Sequence, residues 1–493
     1  MDDYIYRLRP AHALLDVYHE LENQEIYFAS PRELNDPMEG YKDIFWHGDA
    51  IVWTNFLRHY LLCLMEAVLF VVKNGPDRVF AEGEIFTFQT GDVLSPSDAV
   101  TYHDICDRFF HNDEVVKLPS FLEARISSMR RNELFCTLSF LHFYAFKTVC
   151  IGISPNAPLC DPDEYLRSRE DPPFRFQEFF DAQGRVDQQY GASAAIAEQM
   201  TRQVINTLAQ CNLIRAYTGA ARNHGPAWDA IYSGFPERYI RQIEKLLYND
   251  WYAACCISNP ANAAMWGNYG DAHRGVCLKF KTHKNTAGVQ SIVLRQKTGI
   301  SSVRGVLKDI YGEVFHELTK VTYQEKFVEI DFFRSLGNLT GEQLGFWFSD
   351  GNGKVSATGL DLVTGAESWR SEYWNNHQRM MTTKLPDWEH EDEFRLVLSG
   401  LAIDHSNKAD RKLKYRFEDL DGVIFGMNTP REDKLAIMRI IESKCIEKGR
   451  KDFDFYQATY SSVKGSIEIV KLDLIKLSSS GFGFFQPGST PSV

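Results

Sequence analysis

Strand-rich segments at the two ends of this 493-residue chain enclose a long helical middle, and that order limits the folds open to it. Tyr4 to Leu8 is a short aromatic segment, and Pro10 opens a stretch in which Leu14, Tyr18 and Leu21 recur at helical spacing. Ile26 to Ala29 is strand-like again and stops at Pro31, before an Asx-type turn at Asn35-Asp36-Pro37. The pattern then changes. Trp53 to Lys73, Ser97 to Asn112, Ser193 to Thr218 and Phe235 to Tyr248 read as helices, with loops at Pro155 to Pro173 and Arg222 to Pro226. A first strand so far ahead of its partners needs a sheet to join, so the two ends are expected to fold together. The expected class is α+β, a mixed-sheet domain split by a large, mainly helical insertion. Its parts are 1–47 and 248–475, with 48–247 inserted and a flexible tail at 476–493.

Past the insertion, Trp251 to Ile257 is a buried strand. Ser258 or Asn259 caps a helix with Pro260 in its first turn, and Gly275 ends it. Val276 to Phe280 is the next strand, and strand-like segments recur at Lys320 to Tyr323 and Phe394 to Leu398. The closing module begins with Val423-Ile424-Phe425. Thr429-Pro430-Arg431-Glu432 reads as a capping box for a helix with Leu435, Met438, Ile441 and Cys445 on its apolar stripe and Gly449 at its end. Phe453 to Ala458 and Ile467 to Leu472 follow as strands.

Composition excludes some classes. Hydrophobic residues are 44% and charged residues 24%, an ordinary globular balance. The formal net charge of −12 argues against a broad basic surface for nucleic acid or anionic membrane, while leaving a local basic groove open. Met1-Asp2-Asp3 lacks the build of a signal peptide, and the apolar run His59 to Val72 is broken by Glu66 and too short to span a bilayer. A cytoplasmic location and no membrane partner are therefore expected. The 10 cysteines show no metal-ligand spacing and read as reduced thiols, with Cys255 and Cys256 in the core. No Gly-rich phosphate loop, His-x-x-x-His pair or Gly-x-Ser-x-Gly elbow is present, so no resident metal is expected.

Three patches combine charge and aromaticity in a way a core does not need. In Trp388-Glu389-His390-Glu391-Asp392-Glu393-Phe394-Arg395, a strand would place Glu391, Glu393 and Arg395 on one face. It would place Asp392, Phe394, Leu396 and Leu398 on the other. Two carboxylates and a guanidinium in a row suit stabilisation of positive charge, and they suit equally an exposed ion-pair ladder. Trp266, Tyr269 and His273 share a helix face, as a ligand wall or as aromatic packing. Arg7, in a short aromatic strand, is aimed at an anion or satisfied by a partner such as Glu393.

These patches, in this order, resemble a bacterial family known as domain of unknown function 2971. Its pattern is met by Tyr4 to Arg7, Tyr27 to Pro31, Asn35 to Pro37, Ser258, Met265 to Tyr269, His273 to Gly275, Val321 to Tyr323, Trp388 to Arg395 and Val423 to Gly426. The likeness covers roughly 1–47 and 250–475 and leaves out the helical insertion. At a second level the order of motifs is similar to ADP-ribosyltransferases, which carry an Arg or His strand, a Ser/Thr or Tyr strand and a final catalytic Glu. That likeness implies NAD as substrate, with Arg7 on the dinucleotide and Ser258 or Ser30 on the ribose. It implies Tyr27 or Tyr269 on nicotinamide, Trp266 and His273 beside them, and Glu393 catalytic with Glu391 and Arg395 in its row. The expected function is an ADP-ribosyltransferase-like enzyme, a toxic or antiviral effector acting on a macromolecular acceptor. A noncatalytic sensing module, with a protein partner at the helical insertion, is the alternative. Another is a metal-dependent nuclease or hydrolase using Asp36, Glu391 and Glu393.

Overall fold

The computed structural model describes residues 3–155, 159, 178, 194–218, 225–303, 306–400, 403–478 and 481–484. It forms two compact units. One holds Met1–Tyr41, Asp250–Phe327 and Gln378–Val493; the other holds Lys42–Asn249 and Val328–His377. The second therefore also takes in 328–377, which the sequence pattern assigned to the α+β part. Its reason is local pairing: Glu329–Asp331 lies parallel to Asp43–Trp46, Phe333 and Phe332 pack edge-on to Trp53 and Phe56, and Trp347 packs tilted on Phe56.

The protein is α+β. In the first unit, β1 (Tyr4–Arg9) runs through the interior of an eight-stranded sheet. We label β2 (Glu25–Tyr27), β3 (Trp251–Ile257), β4 (Val276–Lys281), β5 (Gln290–Val303), β6 (Val306–Glu317) and β7 (Thr319–Lys320). Then follow β8 (Glu393–Ser399), β9 (Lys412–Tyr415), β10 (Leu420–Phe425), β11 (Asp454–Ser461) and β12 (Ser466–Lys471). The sheet order is β7-β8-β3-β1-β4-β10-β11-β12. β10 and β11 are parallel, joined by the helix Arg431–Lys448; the other neighbours are antiparallel. A second sheet, β2-β9-β5, covers one face, and β6 pairs with β5.

Strand alternation sorts the core. Ile5, Cys256, Leu278, Phe394, Leu396 and Val423 point to the face covered by β2, β9 and the helix Arg431–Lys448. Leu8, Ile257, Cys277 and Ile424 point to the other, against Met265 and Trp266. Several local expectations change. The helix from Pro10 is broken into Ala13–Val17 and Glu20–Asn23, because His19 takes a left-handed conformation. The helix after Ser258 is only Ala263–Tyr269, capped by Asn262 rather than Ser258 or Asn259. Thr429 donates its hydroxyl to the Gly275 carbonyl and caps nothing; the buried stripe on its helix is Ile437, Ile441 and Cys445. The tail begins with a hairpin, Ile475–Ser478 on Gly481–Phe484, and from 485 it lies outside the described residues.

The second unit is built on helices Ala50–Asn74, Pro96–Phe110, Arg131–Ile153 and Phe235–Ile243. Ala194–Thr218 is also helical; most of the expected loop Pro155 to Pro173, and Arg222 within the loop to Pro226, fall outside the described residues. Arg131–Ile153 had no clear sequence signature, since its apolar residues run all round the helix instead of forming a stripe. It and Ala50–Asn74 are long and apolar enough to cross a membrane, unlike the shorter run read from sequence, and both are mostly buried within the unit. His59 bonds Tyr239 and the Thr87 carbonyl, and His142 bonds Tyr60 and the Ile231 carbonyl; burial lowers both rings to about 4.

With β1 between β3 and β4, a fragment covering 250–493 without residues 1–41 would expose two sheet edges and the apolar partners of Ile5 and Leu8. It should show no cooperative thermal transition by circular dichroism, and adding the 1–41 peptide should restore one. A cooperative melt of the fragment alone would contradict this.

Candidate functional site

The patch from Trp388 to Arg395 is not one strand. Pro386–Glu391 is a 3-10 turn, Asp392 takes φ 42, and β8 starts at Glu393. Glu391 is thus brought beside Glu393 by a left-handed turn and not by strand alternation. Nor is the row a solvated ladder. Glu391, Glu393 and Arg395 are at most 1% exposed. Two residues that the sequence did not single out complete the cluster, Glu39 and Lys384, which are also buried.

Arg395 is its centre. Its Nε and Nη2 donate to Glu393 at 2.8 and 3.2 Å, Nη1 and Nη2 donate to the two oxygens of Glu39 at 2.6 and 2.8 Å, and Nη1 also donates to the Met381 carbonyl. Lys384 Nζ lies 2.7 Å from Glu391, 2.8 Å from Glu393 and 3.7 Å from Glu39. Three carboxylates therefore meet two cations. Burial pushes the Glu393 carboxyl up, but Arg395 and then Lys384 overcome that and hold it down to about 2. For Glu39, burial outweighs Arg395 and the carboxyl is raised. Burial also opposes the Lys384 charge, and Glu393 and Glu391 more than compensate.

The cluster opens on one side to a cavity of about 30 Å³ lined by Tyr6, Leu8, Cys255, Ile257, Met265, Tyr269, Glu391 and Glu393. That is room for about one water. Tyr269, the last residue of helix Ala263–Tyr269, donates its hydroxyl to Glu391 at 2.6 Å. Burial and then Glu391 raise its hydroxyl pKa. The helix start is tied to the same turn, since Asn262 donates to the His390 carbonyl at 2.6 Å.

The other expected residues divide. Ser258 donates to Asp392 at 2.8 Å, beside the row but not in the cavity. Trp266 is fully buried and donates to the Pro260 carbonyl, as core packing. His273 lies past the helix, in a run with Asp271 and Ala272 of left-handed residues, with its ring stacked on Trp266 and a buried Nδ1 that has no hydrogen-bond partner among the described residues. Arg7 faces the opposite side of the sheet from Glu393, because strand register sets it across from Leu278; it donates to the Cys255 and Tyr27 carbonyls. Tyr27 and Ser30 form a separate group in which both donate to Glu33, itself paired with Lys408 and Arg411. Asp36 accepts from the Met38 backbone, apart from the row. Among the described residues no group of three His, Cys, Asp or Glu side chains is arranged to hold a metal ion.

Lys384 had one readable signal, and Glu39 had none. A strand row with two carboxylates and one guanidinium, flanked by apolar residues, needs a further cation if it is buried. The Gly after Glu39 takes φ +67 with its α-carbon against the Trp251 ring, where a side chain would clash, so the turn presenting Glu39 is fixed.

Comparison with known proteins bears on this site. Residues 265–396 match the family model of DUF2971, described as a protein of unknown function. The matched segment spans Tyr269, Lys384, Glu391, Glu393 and Arg395, and it ends before β10. The motifs at 4–7, 27–31, 35–37 and 423–426 lie outside it. No curated protein and no solved structure matches the chain.

Removing one cation should leave the carboxylates of the cluster buried and uncompensated. Lys384→Met is expected to cost about 3–5 kcal/mol in urea unfolding, the scale of breaking a buried pair. A cost below about 1 kcal/mol would place the pair among exposed ones.

Proposed function

We propose that the chain is an ADP-ribosyltransferase-like enzyme that uses NAD as substrate and breaks its nicotinamide–ribose bond. The observation that carries this reading is the convergence of Glu391, Glu393 and Tyr269 on one cavity, beside a buried cluster in which carboxylates outnumber cations. Breaking that bond develops oxocarbenium charge, and a desolvated surplus carboxylate stabilises it. Tyr269 and Tyr6 offer aromatic faces to the leaving ring. β8, which starts at Glu393, is hydrogen-bonded to β3, which Ser258 directly follows, and this supports the same reading. In it Glu393 is the catalytic carboxylate, and Glu391 moves the Tyr269 hydroxyl proton or orients the acceptor. Since the cavity holds about one water, the substrate ring enters when Tyr269 turns away from Glu391. Arg7 supports β3 and does not bind pyrophosphate. Action in a bacterial cytoplasm as a toxic or antiviral effector belongs to the proposal and rests on how such enzymes are used.

One observation favours a noncatalytic module instead: both oxygens of Glu39 and of Glu393 are already bonded to Arg395 or Lys384. The experiment incubates the purified chain and NAD labelled in the ADP-ribose with cell lysate, reading nicotinamide release and label transfer. Glu393→Gln should lower turnover about hundredfold or more, the scale of losing one placed electrostatic stabiliser. Because Glu393 is buried, that variant also melts lower and is assayed well below its transition. Glu391→Gln should fall by a smaller factor. If the wild type releases no nicotinamide, or folded Glu393→Gln turns over normally, the cluster is structural.

A further inference from the structure

The stretch between β4 and β7 carried no motif in the sequence, yet it folds into the longest strand pair of the first unit. β5 and β6 pair from Ser291↔Glu317 to Val303↔Val306, with a bulge between Lys297 and Gly299. The near end of β5 is held in a sheet, by Lys414↔Arg295, Tyr415↔Leu294 and His283↔Ser291. Past Arg295 the two strands pair only with each other among the described residues. A two-stranded ribbon about 20 Å long therefore extends beyond its sheet.

Register sorts its side chains. Ile292 and Leu294 lie on the face that joins the core at the ribbon's base. The outward face carries Ile300 from β5 and Leu307, Tyr311 and Phe315 from β6. These are 58%, 72%, 50% and 48% exposed, on an element that is marginally stable without cover. The charges among them are segregated by strand. On this face β5 contributes only bases, Arg295 and Lys297, and β6 only acids, Asp309, Glu313 and Glu317. They largely cancel within the chain. Lys297 pairs with Asp309 at 2.6 Å, Arg295 lies directly opposite Glu313, and Asn285 donates to Glu317. The face therefore has no surplus of one sign for a polyanion or a polycation. A formal net charge of −12 makes copies of this chain repel one another, and that repulsion is least at an apolar face whose charges are already balanced.

We propose that the ribbon is a dimerisation arm, and that its partner is the same ribbon of a second copy of the chain, packed outward face to outward face. A two-fold axis lying between the faces and along the strands sets β5 of each copy over β6 of the other. Arg295 then meets Glu313 of the other copy, and Lys297 meets its Asp309 and Tyr311, so each row of bases lies over a row of acids. Ile300 and Leu307 close over each other at the spacing of packed sheets, about 10 Å. A two-fold axis across the strands would instead set β5 over β5, with bases over bases. Edge-to-edge pairing has the same defect, since each strand would lie beside its own copy. The segregated charges thus select one closed arrangement, while the apolar stripe supplies most of the free energy. One ribbon face is smaller than a standard interface, so the dimer is weak, with a dissociation constant on the order of 10 μM. The dimer is independent of the NAD reading.

The test is sedimentation velocity of the full chain between about 1 and 100 μM, where dimer should grow with concentration. R295E/K297E makes this part of the face all acid, and D309K/E313K makes it all base. Each variant alone should associate at least tenfold more weakly than the wild type, and an equimolar mixture of the two should recover a dimer. Thermal melts by circular dichroism confirm that both are folded. If either charge variant fails to fold, I300S/L307S replaces the pair and should weaken association at least tenfold. A wild type that stays monomeric at 100 μM overturns the proposal. So does wild-type association by either charge variant alone, by I300S/L307S, or a mixture of the two folded charge variants that remains monomeric.

Discussion

A fully buried guanidinium organises the first unit. Arg395 has no exposed surface, and taking such a charge out of water costs several kcal/mol unless every donor is met. The fold meets them with Glu39, Glu393 and the Met381 carbonyl, drawn from three separate stretches of sequence. Lys384 then offsets the remaining carboxylates. Strand β8, the turn that carries Glu391, and the loop after Asn35-Asp36-Pro37 are in this way fixed to one point. The cavity beside them inherits its shape and its negative potential from the same bonds.

That arrangement also links local backbone strain to the site. Asp392 holds φ 42, which turns Glu391 back toward Lys384, and its carboxylate is met by Ser258 and Lys320. Across the cavity, Asp271, Ala272 and His273 are consecutive left-handed residues just after Tyr269. Conformations of this kind cost energy and persist where their surroundings over-determine them. Here the surroundings are close backbone approaches: a side chain at Gly275 would meet the Arg9 carbonyl, and one at Gly426 the His273 carbonyl. The Tyr269 hydroxyl on Glu391 is thus held from both sides, by a buried Trp266 and by a strained turn.

Much of the scaffold was legible in the sequence because alternation and punctuation are local signals. β1, β3, β4, β8 and the helix stopped at Gly449 could be placed within a few residues of their observed bounds. So could the need for the two chain ends to share a sheet. The ribbon of β5 and β6 could not, since its exposed faces carry no alternation of apolar and polar residues. The pairing of Glu329–Asp331 with Asp43–Trp46 is a long-range contact that no local pattern encodes. At the site, residue types were legible and their surroundings were not. Glu391, Glu393, Arg395 and Tyr269 do converge, whereas Arg7 faces away by one step of strand register and Tyr27 and Ser30 serve Glu33. Burial separated a solvated ladder from a desolvated cluster, and burial depends on partners far off in sequence such as Glu39.

The claim on which all of this rests is that Glu39 and Arg395 form a strongly coupled buried pair joining distant segments of one unit. A double-mutant cycle on Glu39→Gln and Arg395→Met, read by urea unfolding, measures that coupling directly. We predict an interaction of about 2–3 kcal/mol, because each single change strands the other's charge. Additivity to within about 0.5 kcal/mol would contradict the account.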